Sequence, residues 1–481
     1  MTTSLVPMTP GVALAHSFGR SYNLPVPFWL YAWGAASVLV LSFLVTGYFM
    51  RAADRGRRPW SCELSGSGLA QGLHRLMPLL QALSVGGLLL CIVTGLVGSN
   101  SPYGNFNMTF FWIVFLLGFA YLTALVGDLY AALNPWKVLA GGIGRLFPSY
   151  ARGRLHYPER LGYWPALVFY MAFIWIELFG RNTPFSLAVM LSVYTAINLA
   201  GAGLFGAREW FRYCEFLAVF FRLIATLAPV DYVPPGQDGQ GGRLRLRAPC
   251  SGALAPAERM SLVLFLLFML SSTAFDGLRE TVLWKKLFWL DLYQAVLRDY
   301  VGANPLAAFP AMRSLFLYWQ SAWLALTPFL YAAVYLAFVG LTRWLVAAPY
   351  TLRELALRFA PPLLPIALVY NITHYYTLIQ TQGVKIVSLA SDPLGRGWDL
   401  FGTADWLQYR IIPDAGFVWH VQVGLIVLGH VVSVSLAHRV ALDLYATRRQ
   451  ALLSQLPMLA LMVLFTVAGL WVLSQPIQSG A

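Results

Sequence analysis

The chain is poor in charge: 11% of its 481 residues are Asp, Glu, Lys or Arg, whereas 58% are hydrophobic. Soluble globular domains carry roughly 25% charged residues, so this shortage excludes an ordinary soluble enzyme, a disordered chain and a nucleic-acid-binding protein. Cysteine is scarce too, and the four cysteines have neither CxxC nor metal-ligand spacing, which argues against a disulfide framework or a zinc finger. No P-loop, GxGxxG, HExxH, GxSxG or CxxCH motif occurs with supporting context, so motifs assign no function.

Long apolar runs are what the sequence does contain. A helix of about 20 apolar residues is needed to cross the roughly 30 Å hydrocarbon core of a bilayer. Ten runs meet this length, so the sequence predicts an all-α, polytopic membrane helix bundle embedded in a lipid bilayer. The ten runs are 27–50, 76–98, 108–132, 162–180, 184–205, 260–278, 316–342, 361–382, 417–438 and 456–474.

An eleventh apolar stretch, 208–229, differs from the others because it carries Arg208, Arg212, Glu215 and Arg222. A charged side chain at the centre of a membrane costs at least ~2.5–3.5 kcal/mol on insertion scales. We therefore expect this stretch to form an interfacial or re-entrant helix rather than a full span.

The distribution of basic residues predicts the orientation, because short cytoplasmic loops are enriched in Lys and Arg. If both termini lie outside the cytoplasm, 23 of the 33 Lys and Arg residues fall in inner loops and 10 fall in outer segments. Seven acidic residues lie in the outer segments, and an eighth, Asp276, lies at the outer end of the sixth run. The sequence therefore predicts that the N- and C-termini are both outside the cytoplasm.

Composition indicates one boundary, at the Pro- and Gly-rich stretch 234–251. It separates an N-terminal transmembrane half from a C-terminal one, and two outer loops are expected in the second half. The expected units are an outer N-terminal segment 1–26, the half 27–233, a cytoplasmic linker 234–259, and the half 260–481 with outer loops 279–315 and 381–416.

Ionisable residues inside the spans are few, and each requires an explanation because burying a charge in a membrane is costly. A helix rises ~1.5 Å per residue, which places Glu177, Asp276 and His420 within roughly one turn of the predicted outer ends. By the same rise His374 lies about 12 Å below the surface and His430 about 20 Å. We expect Glu177, Asp276, His374 and His420 to approach one another at the outer end of the bundle.

These residue types suit two kinds of chemistry. Carboxylates and imidazoles together are ligands for Zn²⁺ or Mn²⁺, so Asp276, His374 and His420 are candidate metal ligands, and a bound metal would make hydroxide available near neutral pH. Glu177, Asp276 and His374 are the candidate catalytic residues. Each also has a structural interpretation: His374 as a packing histidine, the carboxylates as helix caps, and His420 as an interfacial residue.

Six separated segments, in order, carry a resemblance that covers nearly the whole chain. The segments are 15–34, 127–136, 270–278, 367–375, 391–402 and 429–438. Together they resemble a family of bacterial polytopic membrane proteins that bears the name fenitrothion hydrolase. Asp276, His374 and His430 lie within these segments, whereas Glu177 and His420 do not.

The resemblance implies a multi-pass hydrolase of a bacterial cytoplasmic (inner) membrane that works together with a second membrane subunit. Its substrate would be an apolar organophosphate or phosphorothioate triester, cleaved at phosphorus to release an aryl alcohol. That reaction requires an activated water and a cation or hydrogen-bond donor on the phosphoryl oxygen or sulfur.

Two other functions fit the same residues. A transporter for a metal ion or small solute would use intramembrane His and carboxylate groups as a pathway and would show polar groups down to the inner face. A haem- or partner-binding subunit would use His374 and His430, on different helices, as axial ligands, with His430 as the candidate cofactor-binding residue.

Overall fold

A computed structural model of the chain describes residues 27–49, 59–65, 67–233, 243–347, 349–406 and 414–475. The expected N-terminal segment 1–26 and residues 234–242 of the expected linker lie outside the described residues.

The described chain is almost entirely helical, which confirms the all-α class. In chain order the first ten helices are α1 (Phe28–Phe49), α2 (Gly68–Val97), α3 (Phe106–Met108), α4 (Phe119–Val126), α5 (Tyr130–Leu133), α6 (Pro135–Leu146), α7 (Pro148–Arg152), α8 (Trp164–Phe179), α9 (Pro184–Phe205) and α10 (Ala207–Tyr213). The other ten are α11 (Phe216–Ala225), α12 (Met260–Arg279), α13 (Val282–Lys286), α14 (Arg298–Val301), α15 (Pro305–Leu345), α16 (Leu352–Phe359), α17 (Leu364–Thr381), α18 (Ile386–Ser391), α19 (Ala415–Leu444) and α20 (Arg448–Ser474). Two π-helical segments, Thr109–Gly118 and Leu287–Leu297, join α3 to α4 and α13 to α14.

Nine helical segments among the described residues are long and apolar enough to cross a membrane, so the multi-pass architecture is confirmed. The expected run 162–180 corresponds to α8, which has 16 residues and is about 24 Å long, shorter than the hydrocarbon core. The nine segments are Phe28–Phe49, Ala70–Val97, Phe106–Val126, Pro184–Phe205, Met260–Arg279, Ala307–Leu345, Leu352–Thr381, Ala415–Leu444 and Arg448–Ser474.

Helix α12 forms the centre of the bundle. It contacts α8, α15, α17 and α20, and 14 of its 20 residues are buried. Because it is enclosed by protein instead of lipid, a polar side chain on α12 can be matched by hydrogen bonds from neighbouring helices.

A small antiparallel sheet, in the order β1-β3-β2, lies beside the N-terminal end of α2. Its strands are β1 (Ser61–Glu63), β2 (Val230–Val233) and β3 (Arg243–Arg247), so part of the expected linker 234–259 is ordered as a strand. Asp231 pairs in register with Arg245, and the two side chains form an ion pair at 2.6 Å. The sheet therefore ties the chain before α2 to the chain after α11.

The stretch 208–229 is broken in two at Cys214 and Glu215, which confirms that it is no full span. Helix α11 has only ten residues, of which eight are buried, and it packs against α4, α5 and α8. A helix of about 15 Å inside the bundle is the re-entrant arrangement that its charges favoured.

A buried carboxyl group and a partly buried guanidinium group cap the two ends of α11. Glu215 accepts hydrogen bonds from the backbone N–H groups of Leu217 and Ala218, at 3.2 and 2.7 Å. The Asn134 amide, at 3.0 Å, and the Tyr194 hydroxyl also donate to this carboxylate. With four donors, the fully buried Glu215 is compensated as a cap.

At the other end of α11, the Arg247 guanidinium donates to the carbonyl oxygens of Ala225 and Ala228, at 2.6 and 2.9 Å. A cation at a helix C-terminus compensates the carbonyl end of the helix dipole. Arg247 belongs to β3, so the sheet holds the re-entrant helix in place.

Replacing Glu215 by Ala should lower the stability of the folded protein, because Asn134 and Tyr194 then lose a buried acceptor. Each buried group left unsatisfied costs ~1–3 kcal/mol. Thermal unfolding in detergent should show a clear drop for Glu215→Ala and almost none for Glu159→Ala, whose side chain is 91% exposed. Equal melting temperatures for the two variants would show that the cap contributes nothing.

Candidate functional site

Asp276 lies one turn before the end of α12 and is 3% exposed. One carboxylate oxygen accepts from Nε of Arg279 at 3.0 Å, and the other lies 2.7 Å from Nε2 of His374 on α17. A carboxylate paired with Arg279 only accepts hydrogen bonds, so His374 donates to Asp276 in the tautomer that carries a hydrogen on Nε2. Because removing one partner of a buried charged pair leaves the other uncompensated, these three side chains depend on one another.

Arg279 links the ends of two helices. Its guanidinium donates to the carbonyl oxygen of Leu178 at 3.3 Å, lies 5.6 Å from the ring centroid of Phe179, and pairs with Glu280 at 3.3 Å. It therefore fixes the end of α8 against the end of α12, next to Asp276.

Glu177 is on the last turn of α8 and accepts a hydrogen bond from the Tyr375 hydroxyl at 3.0 Å. Tyr375 follows His374 directly in α17, and the two rings are perpendicular with centroids 4.8 Å apart. Two consecutive residues of α17 thus each contact one carboxylate: His374 contacts Asp276 of α12, and Tyr375 contacts Glu177 of α8.

The two carboxylates line one pocket in the bundle. The cavity between them has a volume of about 30 Å³, which is room for about one water molecule, so a larger ligand requires the surrounding side chains to move apart. The polar lining residues are Glu177, Ser272, Thr273, Asp276, Asn371 and Tyr375, and the aromatic ones besides Tyr375 are Tyr170, Phe173, Phe216 and Phe220.

Two irregular elements shape this pocket. The π-helical segment Thr109–Gly118 supplies Leu116 and Leu117, and π-helical turns occur frequently at functional sites. The re-entrant helix α11 supplies Phe216, which stacks on Tyr170 with ring centroids 5.6 Å apart. The charge-capped α11 is therefore what places aromatic rings against the pocket.

His420 takes no part in these contacts. It is exposed on the first turns of α19, where one ring nitrogen lies 2.7 Å from the carbonyl oxygen of Gly416 and the other 3.5 Å from the Tyr31 hydroxyl of α1. The structure brings Glu177, Asp276 and His374 to one end of the bundle and places His420 against a different helix.

His430 is buried in the middle of α19, with Nδ1 2.8 Å from the carbonyl oxygen of Ile426. Within the described part of the chain, its Nε2 has no hydrogen-bond partner. His430 does not line the pocket, and the Nε2 of His374 faces Asp276. The haem alternative stays a prediction, and a Soret band of the purified protein would test it.

A metal site of three protein ligands does not fit the described residues, since none of their His, Cys, Asp and Glu side chains form a group of three or more that could hold an ion. The expected set Asp276, His374 and His420 is not assembled. The divalent metal, Zn²⁺ or Mn²⁺, stays a prediction, and no step below uses it.

Sequence reasoning did not name most residues of the site, among them Arg279, Tyr375 and Asn371. Arg279 follows Asp276 by three residues, and this spacing on a helix places the two side chains on one face, so a signal existed. Tyr375 and Asn371 lie within the segment 367–375 that carries the resemblance, but tyrosine and asparagine are unremarkable in a membrane helix, and only the packing of α17 against its neighbours selects them.

These features define the class of the protein: a polytopic membrane helix bundle with a small acidic and aromatic pocket inside it. No protein-family model matches the chain. No curated protein and no solved structure matches it either. The resemblance to fenitrothion hydrolases stays a prediction, and the function is argued from the pocket.

Proposed function

We propose that the chain is a membrane-embedded hydrolase, or the hydrolytic subunit of one, for neutral apolar phosphate or phosphorothioate triesters. One observation carries the proposal: Glu177 and Asp276 line the same aromatic pocket. A neutral triester partitions into the bilayer, and a pocket within the helix bundle is where such a molecule arrives.

In the proposed reaction Glu177 acts as the general base. It accepts a proton from a water molecule, the water oxygen forms a bond to phosphorus, and the phosphorus–oxygen bond to the aryl group breaks. The electron pair of that bond leaves on the aryl oxygen, which is protonated to the aryl alcohol. The Tyr375 hydroxyl, 3.0 Å from Glu177, orients the base.

Asp276 has a different role because both its oxygens are engaged, by Arg279 and His374. It fixes a negative charge at the pocket wall, and His374 and Arg279 act behind it as positioning residues. The phosphodiester product is an anion, and the carboxylate of Glu177 repels it, whereas the charge of Asp276 is offset by Arg279. The pocket charge therefore favours a neutral substrate and release of its product.

Hydrolysis is tested with the purified chain in liposomes and, since the resemblance implies a second subunit, with membranes of cells that express it. Release of aryl alcohol from a nitrophenyl phosphorothioate triester should exceed that of empty liposomes and should survive a chelator. If a chelator abolished turnover, the reaction would depend on a bound metal ion and not on Glu177 alone. No turnover in either preparation would reject the proposal.

A transporter for a small solute is the second candidate, and one observation favours it. The buried polar groups do not stop at the pocket: Glu215, Asn134 and Tyr194 form a hydrogen-bonded cluster, and Phe216 next to Glu215 lines the pocket. Broken helices beside a buried site are typical of transporters. Substrate-dependent uptake into liposomes without hydrolysis would establish this function.

We propose that both termini lie outside the cytoplasm. This orientation places the small sheet, whose strand β3 carries three Arg residues, on the cytoplasmic side, where basic residues are enriched. Cys62 of β1 is exposed, whereas Cys91 and Cys214 are buried. A membrane-impermeant maleimide should therefore label Cys62 only after the membrane is permeabilised, and a Cys62→Ser variant shows the background. Equal labelling of intact cells would invert the orientation.

A further inference from the structure

The chemistry of the pocket lining points to a ligand that hydrolysis does not require. Among the described residues that line it, two are carboxylates and none is Lys, Arg or His. The basic groups nearby, Arg279 and His374, contact Asp276 but are not part of the lining. The lining therefore offers a ligand carboxylates and no basic side chain, although Arg279 offsets the charge of Asp276 from behind.

Five of the twelve other lining residues are aromatic. Tyr170, Phe173, Phe216, Phe220 and Tyr375 all contribute to the lining. The face of an aromatic ring attracts a cation through its quadrupole, by ~0.5–2 kcal/mol for each contact, and cages of such rings bind quaternary ammonium groups. Aromatic rings and a carboxylate together can replace the water around an organic cation when it enters a binding site.

We infer that this pocket binds a lipophilic organic cation, an amine or quaternary ammonium group attached to an aromatic or alkyl body. An inorganic metal ion fits less well, because it requires several protein ligands and the described residues offer no group of three. The inference rests on the lining, so it holds or fails independently of hydrolysis. Such a cation would also compete with the triester for the pocket.

The probe is benzyltrimethylammonium, and its binding to the chain in phosphatidylcholine nanodiscs is measured by calorimetry with no triester present. Phenylmethanesulfonate, of similar size and opposite charge, is the matched probe. We expect saturable binding of the cation and at least tenfold weaker binding of the anion, because the carboxylates repel it. Comparable affinities for the two probes would overturn the inference.

The variant test uses Glu177→Gln, which keeps the size of the side chain and removes its charge. Affinity for benzyltrimethylammonium should fall at least tenfold, while Glu159→Gln, altered at an exposed carboxylate, should bind as the wild type does. Unchanged affinity in Glu177→Gln would contradict the inference, as would binding of Mn²⁺ without binding of the organic cation. The charge preference of the wild-type protein decides the question even if the variant misfolds.

Discussion

Glu177→Gln is expected to lower the turnover of a triester by two to four orders of magnitude. The amide retains the shape of the side chain but accepts no proton from water, and a positioned general base contributes ~10²–10⁴-fold to a rate. The pocket remains formed, since Gln can still accept the hydrogen bond that Tyr375 donates. Turnover should therefore fall while KM changes little, as measured by aryl alcohol release from liposomes.

The matched control for this variant is Glu159→Gln, the same change at a side chain that is 91% exposed. Its kcat should equal that of the wild type. If Glu177→Gln retained full activity, the base would have to be another group and the assignment of Glu177 would be wrong.

His374→Ala is expected to reduce kcat by at least two orders of magnitude by a different route. Removing the imidazole deprives Asp276 of the donor at 2.7 Å, and the carboxylate is then held only by Arg279 within this trio. A reoriented Asp276 misplaces the charge at the pocket wall, and misplacement of about 1 Å can cost 10²-fold.

A positioning role for His374 predicts one result that a merely structural role does not predict. His374→Gln, whose amide can replace the Nε2–H donor, should recover part of kcat, while His374→Ala should not. His156→Ala removes an exposed histidine and should leave kcat unchanged. Equal kcat values for His374→Ala and the wild type would remove the Asp276–His374 pair from the mechanism.

The fold was predictable because its strongest determinant, the length of each apolar run, is local in sequence. The charges in 208–229 also indicated correctly that this stretch does not form one long membrane-spanning helix. The partners that make those charges tolerable were not predictable. Asn134 and Tyr194 reach Glu215 from segments 81 and 21 residues away in sequence, and no pattern records that contact.

The approach of Glu177, Asp276 and His374 was expected from the sequence, but their contacts were not. Depth along a helix placed Asp276 within about one turn of the outer surface and His374 about 12 Å below that surface, yet the two side chains are in contact. Helix α17 continues for seven residues beyond His374, to Thr381, whereas α12 ends three residues after Asp276. Depth counted from each helix's own end ignores this offset between neighbouring helices.

His420 illustrates a second limit of depth arithmetic, which says nothing about direction around the helix axis. Its position on the first turns of α19 agrees with the expected depth, but its ring faces Tyr31 of α1. Only the packing of α1 on α19 decides that direction, so a sequence pattern could not separate His420 from the candidate site.

The most direct test of the proposed function is triester hydrolysis by the chain in water enriched in ¹⁸O. Attack of a water molecule on phosphorus in this pocket requires one ¹⁸O atom in the phosphorus acid product and none in the aryl alcohol, with both products formed about 10²–10⁴-fold more slowly in Glu177→Gln. Label in the aryl alcohol, or label in the phosphorus product at the same rate in Glu177→Gln as in the wild type, would contradict the account.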